Sequence, residues 1–203
     1  MKLLEYHDIL NPGLFQSSSI LQQAWSEVEH AIALTDWPHG SGEFTIYPES
    51  GKKRGQGNGV KPIKLPCMRE LEKSGWETES LPDIKSSVLG TGDLDALKLT
   101  TEGHIAFEWE TGNISSSHRA LNKLFLAMQE TNIVGSFLVV PSNNLKQYLT
   151  DRIGNIGELK PYFPLWKNLQ GIKGALRIIV VEHDKTSFNV PKIPKGTDGR
   201  AKN

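Results

Sequence analysis

Residues 107–123 read FEWETGNISSSHRALNK, and this stretch decides how the chain folds. The residues just before it extend an alternating pattern over 104–110, as expected for a β-strand whose successive side chains point to opposite faces. One face would carry the large apolar side chains Ile105, Phe107 and Trp109. Glu108 and Glu110 would lie side by side on the other face, where two like charges cost free energy unless a cation or water compensates them.

Signals for a helix follow this strand at once. Gly112 breaks the strand, and Asn113 and Ser115 can accept hydrogen bonds from the free backbone N–H groups of a helix start. Apolar residues then recur at helical spacing, at Leu121, Leu124, Phe125 and Met128. These patterns predict a helix over 115–130, so that the acidic pair ends a strand where a helix begins.

The remaining segments alternate between helical and strand patterns. Helices are predicted over 19–34, from Pro66 to near Gly75, and over 143–150, and strands over 44–47, 94–99, 137–140 and 176–181. A short connection at 100–103 permits a hairpin between the strand at 94–99 and the strand that carries the acids. Interleaved strands and helices are typical of an α/β fold with a central mixed β-sheet flanked by helices on both faces.

The composition is that of one soluble globular domain. The chain has 203 residues, of which 37% are hydrophobic and 23% charged, and this is enough for a substantial core. We therefore expect a single domain over 1–203 that ends in an extended Pro-, Gly- and Lys-rich tail at about 190–203. No apolar run is long enough to span a bilayer and no secretory signal is present, so a cytoplasmic location is expected.

Composition also limits the chemistry. Cys67 is the only cysteine, which excludes an internal disulfide and a cysteine-based zinc site within one chain. The formal net charge is zero, whereas nucleic-acid-binding domains are usually basic, so any such role must rest on local clusters of charge. The glycine-rich run 55–59 lacks the Gly-Lys-Ser/Thr ending of a nucleotide phosphate loop, which argues against that kind of site.

Three acids are candidates for a metal site. The predicted hairpin allows Asp95 to lie opposite Glu108 and Glu110. Their carboxylates are hard oxygen ligands that suit Mg²⁺ together with waters and substrate oxygens, and such a set favours phosphoryl-group chemistry. Two acids on an exposed sheet face are also a common structural feature, so the spacing alone leaves both interpretations open.

The same stretch carries a family resemblance. Residues 107–116, followed by His118-Arg119 and Asn122-Lys123-Leu124, closely resemble the centre of the BamHI-like type II restriction endonucleases. Further matches follow in the same order over roughly 20–199, at Leu21–Ala24, Pro62–Lys64, Tyr148–Arg152, Glu158-Leu159, Pro161–Phe163, Pro194–Gly196 and Asp198-Gly199. Residues 165–189 match poorly.

The resemblance implies the PD-(D/E)xK restriction endonuclease-like fold and Mg²⁺-dependent hydrolysis of both DNA strands at the palindrome GGATCC, by a two-metal mechanism. The products would carry 5′-phosphates on four-base 5′ overhangs. It also implies a homodimer on double-stranded DNA, formed through the helices predicted at about 115–130 and 143–151, with no role at a membrane. A DNA methyltransferase that acts on the same sequence is the expected functional companion.

The resemblance also assigns roles to single residues. Asp95 and Glu108 would be metal ligands, Glu110 would orient or deprotonate the attacking water, and Glu79 would be a further active-site acid. Glu110 stands where most members of the fold carry Lys. The implied DNA-binding residues are Lys64, Asn113, Ser115, Arg119, Asp151, Arg152, Lys195 and Gly196. Arg can donate twice to guanine O6 and N7, and Asp can accept from cytosine N4, so the residue types suit base reading.

Three alternatives remain beside this interpretation. A nuclease of the same fold with another DNA target would keep the acids and cut elsewhere. A DNA-binding dimer that has lost catalysis would bind without cleaving. A structural protein whose acids face solvent would show neither metal-dependent activity nor a site-specific footprint.

Overall fold

The computed structural model describes residues 1–53, 55–80, 93–150 and 152–195, and a six-stranded β-sheet lies at its centre. Its strands are β1 (Lys2–Leu10), β3 (Glu77–Ser80), β4 (Leu94–Lys98), β5 (His104–Trp109), β6 (Ile133–Pro141) and β7 (Ala175–Glu182), in the order β1-β7-β6-β5-β4-β3. β5, β6 and β7 are parallel neighbours, whereas β1 pairs antiparallel with β7, and β4 pairs antiparallel with β5 and with β3. β2 (Thr45–Ile46) and β8 (Lys185–Thr186) form a separate parallel pair. The predicted mixed sheet is confirmed.

Helices cover both faces of this sheet. α1 (Leu14–Ser17), α2 (Ser19–Ala33) and α3 (Leu65–Lys73) pack on one face, and α4 (Ile114–Glu130), α6 (Ile156–Leu159) and α7 (Phe163–Lys167) pack on the other. α5 (Asn143–Lys146) follows β6, and 3-10 turns lie at Lys61–Lys64 and Lys160–Tyr162. The predicted α/β fold with helices on both faces is therefore confirmed. Within the described ranges, no helix is both long and apolar enough to cross a membrane.

β5 shows the alternation that the sequence predicts. Ile105, Phe107 and Trp109 are buried in the core beneath α2 and α3, whereas Ala106 is buried in the core beneath α4. Ala96 of β4 pairs with Phe107 in antiparallel register, so Asp95 comes to lie beside Glu108. The hairpin that brings the acids together is thus present.

The start of α4 is held by Asn113. Its Oδ1 accepts a hydrogen bond from the backbone N–H of Ser116 at 3.0 Å, which satisfies one of the free donors of a helix start. Ser115 has a different role from the predicted one, because its hydroxyl donates to Asn113 Oδ1 at 2.6 Å. One side chain therefore organises the whole first turn of α4.

The predicted helix over 143–150 is wrong beyond its first turn. α5 ends at Lys146, and the carbonyls of Gln147 and Tyr148 accept hydrogen bonds from the backbone N–H groups of Gly51 at 2.9 Å and Asn58 at 2.8 Å. Because partners distant in sequence bond these carbonyls, the chain leaves the helical path before 151. The predicted dimer helix at 143–151 is corrected in the same way.

Candidate active site

An open cavity of about 370 Å³ lies where β5 ends and the connection to α4 begins. It is lined by Lys64, Leu65, Asp95, Glu108, Trp109, Glu110, Thr111 and Gly112. The three acids that the sequence singles out as metal-site candidates therefore share one concave surface. Lys64, predicted from the resemblance as a DNA-binding residue, lines the same cavity.

Asp95 is fixed by groups from two other elements. Its Oδ2 accepts a hydrogen bond from the backbone N–H of Trp109 at 2.8 Å, which uses the pairing of β4 with β5. Its Oδ1 forms an ion pair with the ammonium group of Lys64, which enters from the 3-10 turn before α3. The carboxylate is thus held at the edge of the cavity and is one-fifth exposed.

Glu108 is the most deeply placed of the acids, with only 6% of the residue exposed. Its Oε1 forms an ion pair with the Lys123 ammonium group, and Lys123 Nζ also donates to the carbonyl of Asp93 at 2.8 Å. Burial raises the pKa of Glu108 to about 7, because desolvation disfavours the charged form; Lys123 opposes this and Asp95 adds to it. The charge on Glu108 therefore depends on the cation that faces it.

Glu110 lies just past the end of β5 and is held by its own turn. Its Oε1 accepts from the backbone N–H of Gly112, and the approach is so close that a Cβ on Gly112 would lie 2.6 Å from this oxygen. Burial raises the pKa of Glu110, the Gly112 N–H lowers it, and the negative charge of Asp95 raises it further. The hydrogen bond from Gly112 is made to Oε1 alone.

The donor set fits an open magnesium site. Among the residues that the structure describes, no three His, Cys, Asp or Glu side chains form a closed group around one point. Mg²⁺ usually takes one or two carboxylates and keeps waters or substrate phosphates as its other ligands, so Asp95 and Glu108 with the neighbouring Glu110 are sufficient donors. Each of the first two carboxylates already faces an ammonium group, which marks the place as one where positive charge is accepted.

The predicted base readers gather beside this cavity. Asn113, Ser115 and Arg119 are exposed on the first turns of α4. Arg152, with a positive φ of 61°, belongs to the segment that runs alongside, since Ile153 forms an antiparallel bridge with Asn113 and the Gly154 N–H donates to the Gly112 carbonyl at 2.9 Å. Two separate segments of the chain thus expose their polar side chains at one edge of the cavity.

Other predicted site residues lie elsewhere or outside the described part. Lys195 donates to the Gln56 carbonyl at 3.1 Å and to the Gly55 carbonyl, and it does not line the cavity. Glu79 belongs to β3, but its side chain is outside the described residues, as are Asp151 and Gly196.

The glycine-rich run 55–59 is occupied by internal contacts. Four backbone N–H groups of this run donate within the chain, at 2.8–3.0 Å: Gln56 to the Lys53 carbonyl, Gly57 to Glu49 Oε2, Asn58 to the Tyr148 carbonyl, and Gly59 to the Ile193 carbonyl. Because these donors are used within the chain, the run does not present the backbone cradle of a nucleotide phosphate loop.

Two side chains, one at the cavity and one away from it, have contacts that the sequence does not predict. Lys123 lies within the family resemblance and receives no role from it, although a lysine adjoining the apolar stripe of α4 is a signal that its ammonium group needs a buried partner. Asn58 had no such signal, because its partners are backbone groups far away in the sequence.

The sequence is similar to those of known restriction enzymes over nearly its whole length. The family profile described as Restriction endonuclease BamHI matches residues 1–200. The chain is 43% identical over 201 residues to the Type II restriction enzyme OkrAI from Oceanobacter kriegii, and the match covers 99% of each chain. It is 37% identical over 195 residues to the Type II restriction enzyme BamHI from Bacillus amyloliquefaciens, covering 93% of this chain and 87% of BamHI.

A solved structure supports the fold independently. The restriction endonuclease BglII, crystallised in complex with a DNA 16-mer, superposes with a TM-score of 0.62 over 91% of this chain and 79% of BglII, at 10% identity. At this identity the likeness bears on the fold alone. With the profile match and the two relatives covering nearly the whole chain, the protein belongs to the BamHI family of type II restriction endonucleases.

Proposed function

We propose that this restriction endonuclease cleaves double-stranded DNA at GGATCC, as a homodimer that requires Mg²⁺. The observation that carries this proposal is the arrangement at the end of β5, where Asp95, Glu108 and Glu110 line one cavity and Asn113 begins the adjoining helix. A site that hydrolyses a phosphodiester thus adjoins side chains able to read bases. Cleavage is proposed to leave 5′-phosphates on four-base 5′ overhangs.

Asp95 and Glu108 are the residues that would hold Mg²⁺, and the resemblance supports two ions for each site. When bound, Mg²⁺ supplies positive charge at the phosphate and lowers the pKa of a coordinated water. Lys64, which faces Asp95, is placed at the cavity wall where it can contact a DNA phosphate. Lys123 fixes Glu108 through their ion pair.

Glu110 is assigned to the attacking water. A carboxylate cannot stabilise negative charge at phosphorus as a lysine would, but it can orient a water and take its proton. The Gly112 N–H holds Oε1, which leaves the second oxygen for the water. Because burial raises the pKa of Glu110, it is a better proton acceptor than an exposed glutamate.

Base reading is assigned to Asn113, Ser115, Arg119 and Arg152, with Asp151 beside the last of these. An Asp-Arg pair can read a G·C pair across the major groove, where Arg donates to guanine O6 and N7 and Asp accepts from cytosine N4. Lys195 and Gly196 are proposed to approach the DNA backbone from the tail. Glu79 is proposed as a further acid of the active site.

A palindromic target suits a two-fold dimer with one active site for each strand. We place the dimer contact on α4, which begins directly after the cavity-lining residues Thr111 and Gly112. In a cell, a methyltransferase that acts on the same sequence would protect the host DNA. It need not contact this protein.

The deciding experiment uses a plasmid with a single GGATCC site and a control plasmid in which one base pair of that site is changed. With Mg²⁺, the protein should linearise only the first plasmid, and sequencing of the ends should place the cut within GGATCC. Linear product with ends at another sequence would point to a same-fold nuclease with a different target. Binding without any cleavage in Mg²⁺ would point to a non-cleaving DNA-binding dimer.

A further inference from the structure

Asn58 lies at a junction of three segments, away from the acids of the cavity. Its side chain is fully buried and every polar atom is used: Nδ2 donates to the carbonyls of Tyr47 at 2.8 Å and Tyr148 at 2.9 Å, and Oδ1 accepts from the backbone N–H of Ile193 at 3.1 Å. A buried amide with all of its hydrogen bonds made fixes its partners in one arrangement.

The backbone of Asn58 also forms hydrogen bonds with the segment that contains Tyr148. Its N–H donates to the Tyr148 carbonyl at 2.8 Å, and its carbonyl accepts from the N–H of Thr150 at 3.0 Å. Residue 58 thus forms a short parallel bridge with Leu149. The segment 147–150, which would otherwise continue α5, is paired with the glycine-rich run instead.

Glycines on either side of Asn58 in the sequence allow a close contact with these segments. A Cβ on Gly51 would lie 1.5 Å from the Leu149 carbonyl oxygen, and a Cβ on Gly59 would lie 1.8 Å from the Pro194 carbonyl oxygen. No side chain fits at either place without moving backbone, so Gly51 and Gly59 are seated directly against the backbone of 149–150 and 194–195.

Both segments held by Asn58 lead straight into residues proposed to contact DNA. Thr150 precedes Asp151 and Arg152, and Ile193 stands two residues before Lys195. A shift of the Asn58 amide would therefore move the Arg152 segment and the tail together. A displacement of about 1 Å is large on the scale of the positions that a specific site requires.

We propose that Asn58 is a positioning residue for sequence discrimination, which holds the Arg152 segment and the Lys195 segment in register with each other so that both can meet the same DNA site. The inference rests on the proposed function. Asn58 contacts neither base nor phosphate in this role and acts only through the two segments that it joins.

The test compares Asn58→Asp with wild type and with Val28→Ala. Aspartate keeps the shape and the acceptor for Ile193 but loses both donors to Tyr47 and Tyr148. Val28 is fully buried in α2 and belongs to none of the segments that Asn58 joins, so its truncation lowers stability without removing any of their hydrogen bonds. If Asn58→Asp does not fold, Asn58→Ser takes its place.

Two measurements are made on each protein. The first is kcat/KM on GGATCC DNA divided by kcat/KM on DNA with one altered base pair, a ratio in which any loss of active fraction cancels. The second is the ratio of the dissociation constants for the same two DNAs without divalent cations. We expect both ratios to fall at least tenfold in the Asn58 variant and to stay at the wild-type value in Val28→Ala.

The outcomes separate this inference from the proposed function. Ratios unchanged in the Asn58 variant, while wild type discriminates, overturn the positioning role and leave the proposed function intact. Ratios that fall equally in Val28→Ala overturn it as well, because the effect is then one of stability. A wild-type protein that does not discriminate between the two DNAs overturns both.

Discussion

Glu110 is proposed to act on the attacking water, and the family resemblance puts it where most members of the fold carry lysine, so its role can be tested alone. Glu110→Gln keeps the shape and the bond from the Gly112 N–H but removes the proton acceptor. Loss of a general base typically lowers the rate by about 10²–10⁴-fold, and we expect kcat to fall in that range with DNA affinity retained. Single-turnover cleavage and DNA binding measure the two quantities.

Glu102→Gln serves as the control for Glu110, because Glu102 is exposed on the turn before β5. It should cleave like wild type. Glu110→Lys adds the reverse test, since lysine is the more usual residue in the fold. A Glu110→Lys protein that cleaves at the wild-type rate would show that no carboxylate is needed there.

The raised pKa of Glu108 predicts that the stability of the protein without divalent cations depends on pH. Its pKa is raised from 4.5 to about 7, so the folded state binds the proton more tightly than the unfolded state does. The contribution of Glu108 is therefore fully present below about pH 4.5 and is lost as the pH rises through about 7; its size is on the order of 3 kcal/mol. With EDTA present, Tm should fall over this window.

Glu108→Gln isolates this contribution, because the amide does not titrate. The difference in Tm between wild type and variant should change steadily from pH 4.5 to 7. An unchanged difference across that range would mean that Glu108 keeps its charge when buried. The stabilisation by Mg²⁺ should grow as the pH rises, because Mg²⁺ binds the deprotonated carboxylate. This pH trend is opposite to that of the protein in EDTA.

At the scale of elements, β5 and α4 could be predicted because the side chains on their two sides differ in character. In β5 the large apolar side chains beneath α2 and α3 alternate with Ala106 and Glu108, which are buried on the other side, whereas α4 buries one helical face against the sheet. The same alternation placed Glu108 and Glu110 on one face. The most informative part of the candidate site was thus available from local sequence.

Other elements lacked such a signal. β1 is an edge strand in which exposed and half-buried positions alternate over residues 2–7, but the apolar Leu4 and Tyr6 are exposed and the charged Glu5 is half-buried, so the sequence does not show the pattern. α6 and α7 have four and five residues, too few for a helical period to emerge. The early end of α5 depends on Gly51 and Asn58, and the burial of Lys123 depends on Glu108, so these features are set by partners far along the chain.

The contact between α4 and the 152–155 segment offers a test at this scale. A Cβ on Gly154 would lie 1.9 Å from Oγ of Ser117, a buried residue in the first turn of α4. Gly154→Ala should therefore push the Arg152 segment away from the helix and destabilise the fold by about 1–3 kcal/mol, the usual cost of overpacking. Thermal unfolding and DNA binding should both record the change.

Gly13→Ala is the matched substitution for Gly154→Ala. A Cβ at Gly13 has no atom within 4 Å, and its φ of −63° suits alanine. Its Tm and DNA affinity should stay near those of wild type. Equal Tm values for the two variants would contradict the close packing of Gly154 against Ser117.

For the whole molecule, zero net charge is compatible with binding DNA because the charges are distributed unevenly: Lys64 and Lys123 pair with two of the cavity acids, and other basic side chains are exposed. Asp95, Glu108 and Glu110 are gathered inside one cavity, whereas Arg119 and Arg152 are exposed at its edge. The sum of charges hides this arrangement. Local placement, rather than the total, decides whether a surface can meet the phosphate backbone.

The proposed dimer has one active site for each strand, and mixed dimers test this directly. Wild-type and Glu110→Gln chains carrying different C-terminal tags are co-expressed, and dimers with both tags are purified in two affinity steps. Since only one subunit can hydrolyse its strand, these dimers should convert a supercoiled GGATCC plasmid to the nicked circle and stop there, while wild-type dimers with the same two tags linearise it. Agarose gels resolve the two products. Linearisation by mixed dimers at the wild-type rate would show that one subunit cuts both strands. A complete lack of product would show that the subunits cannot act separately. Either result contradicts independent active sites.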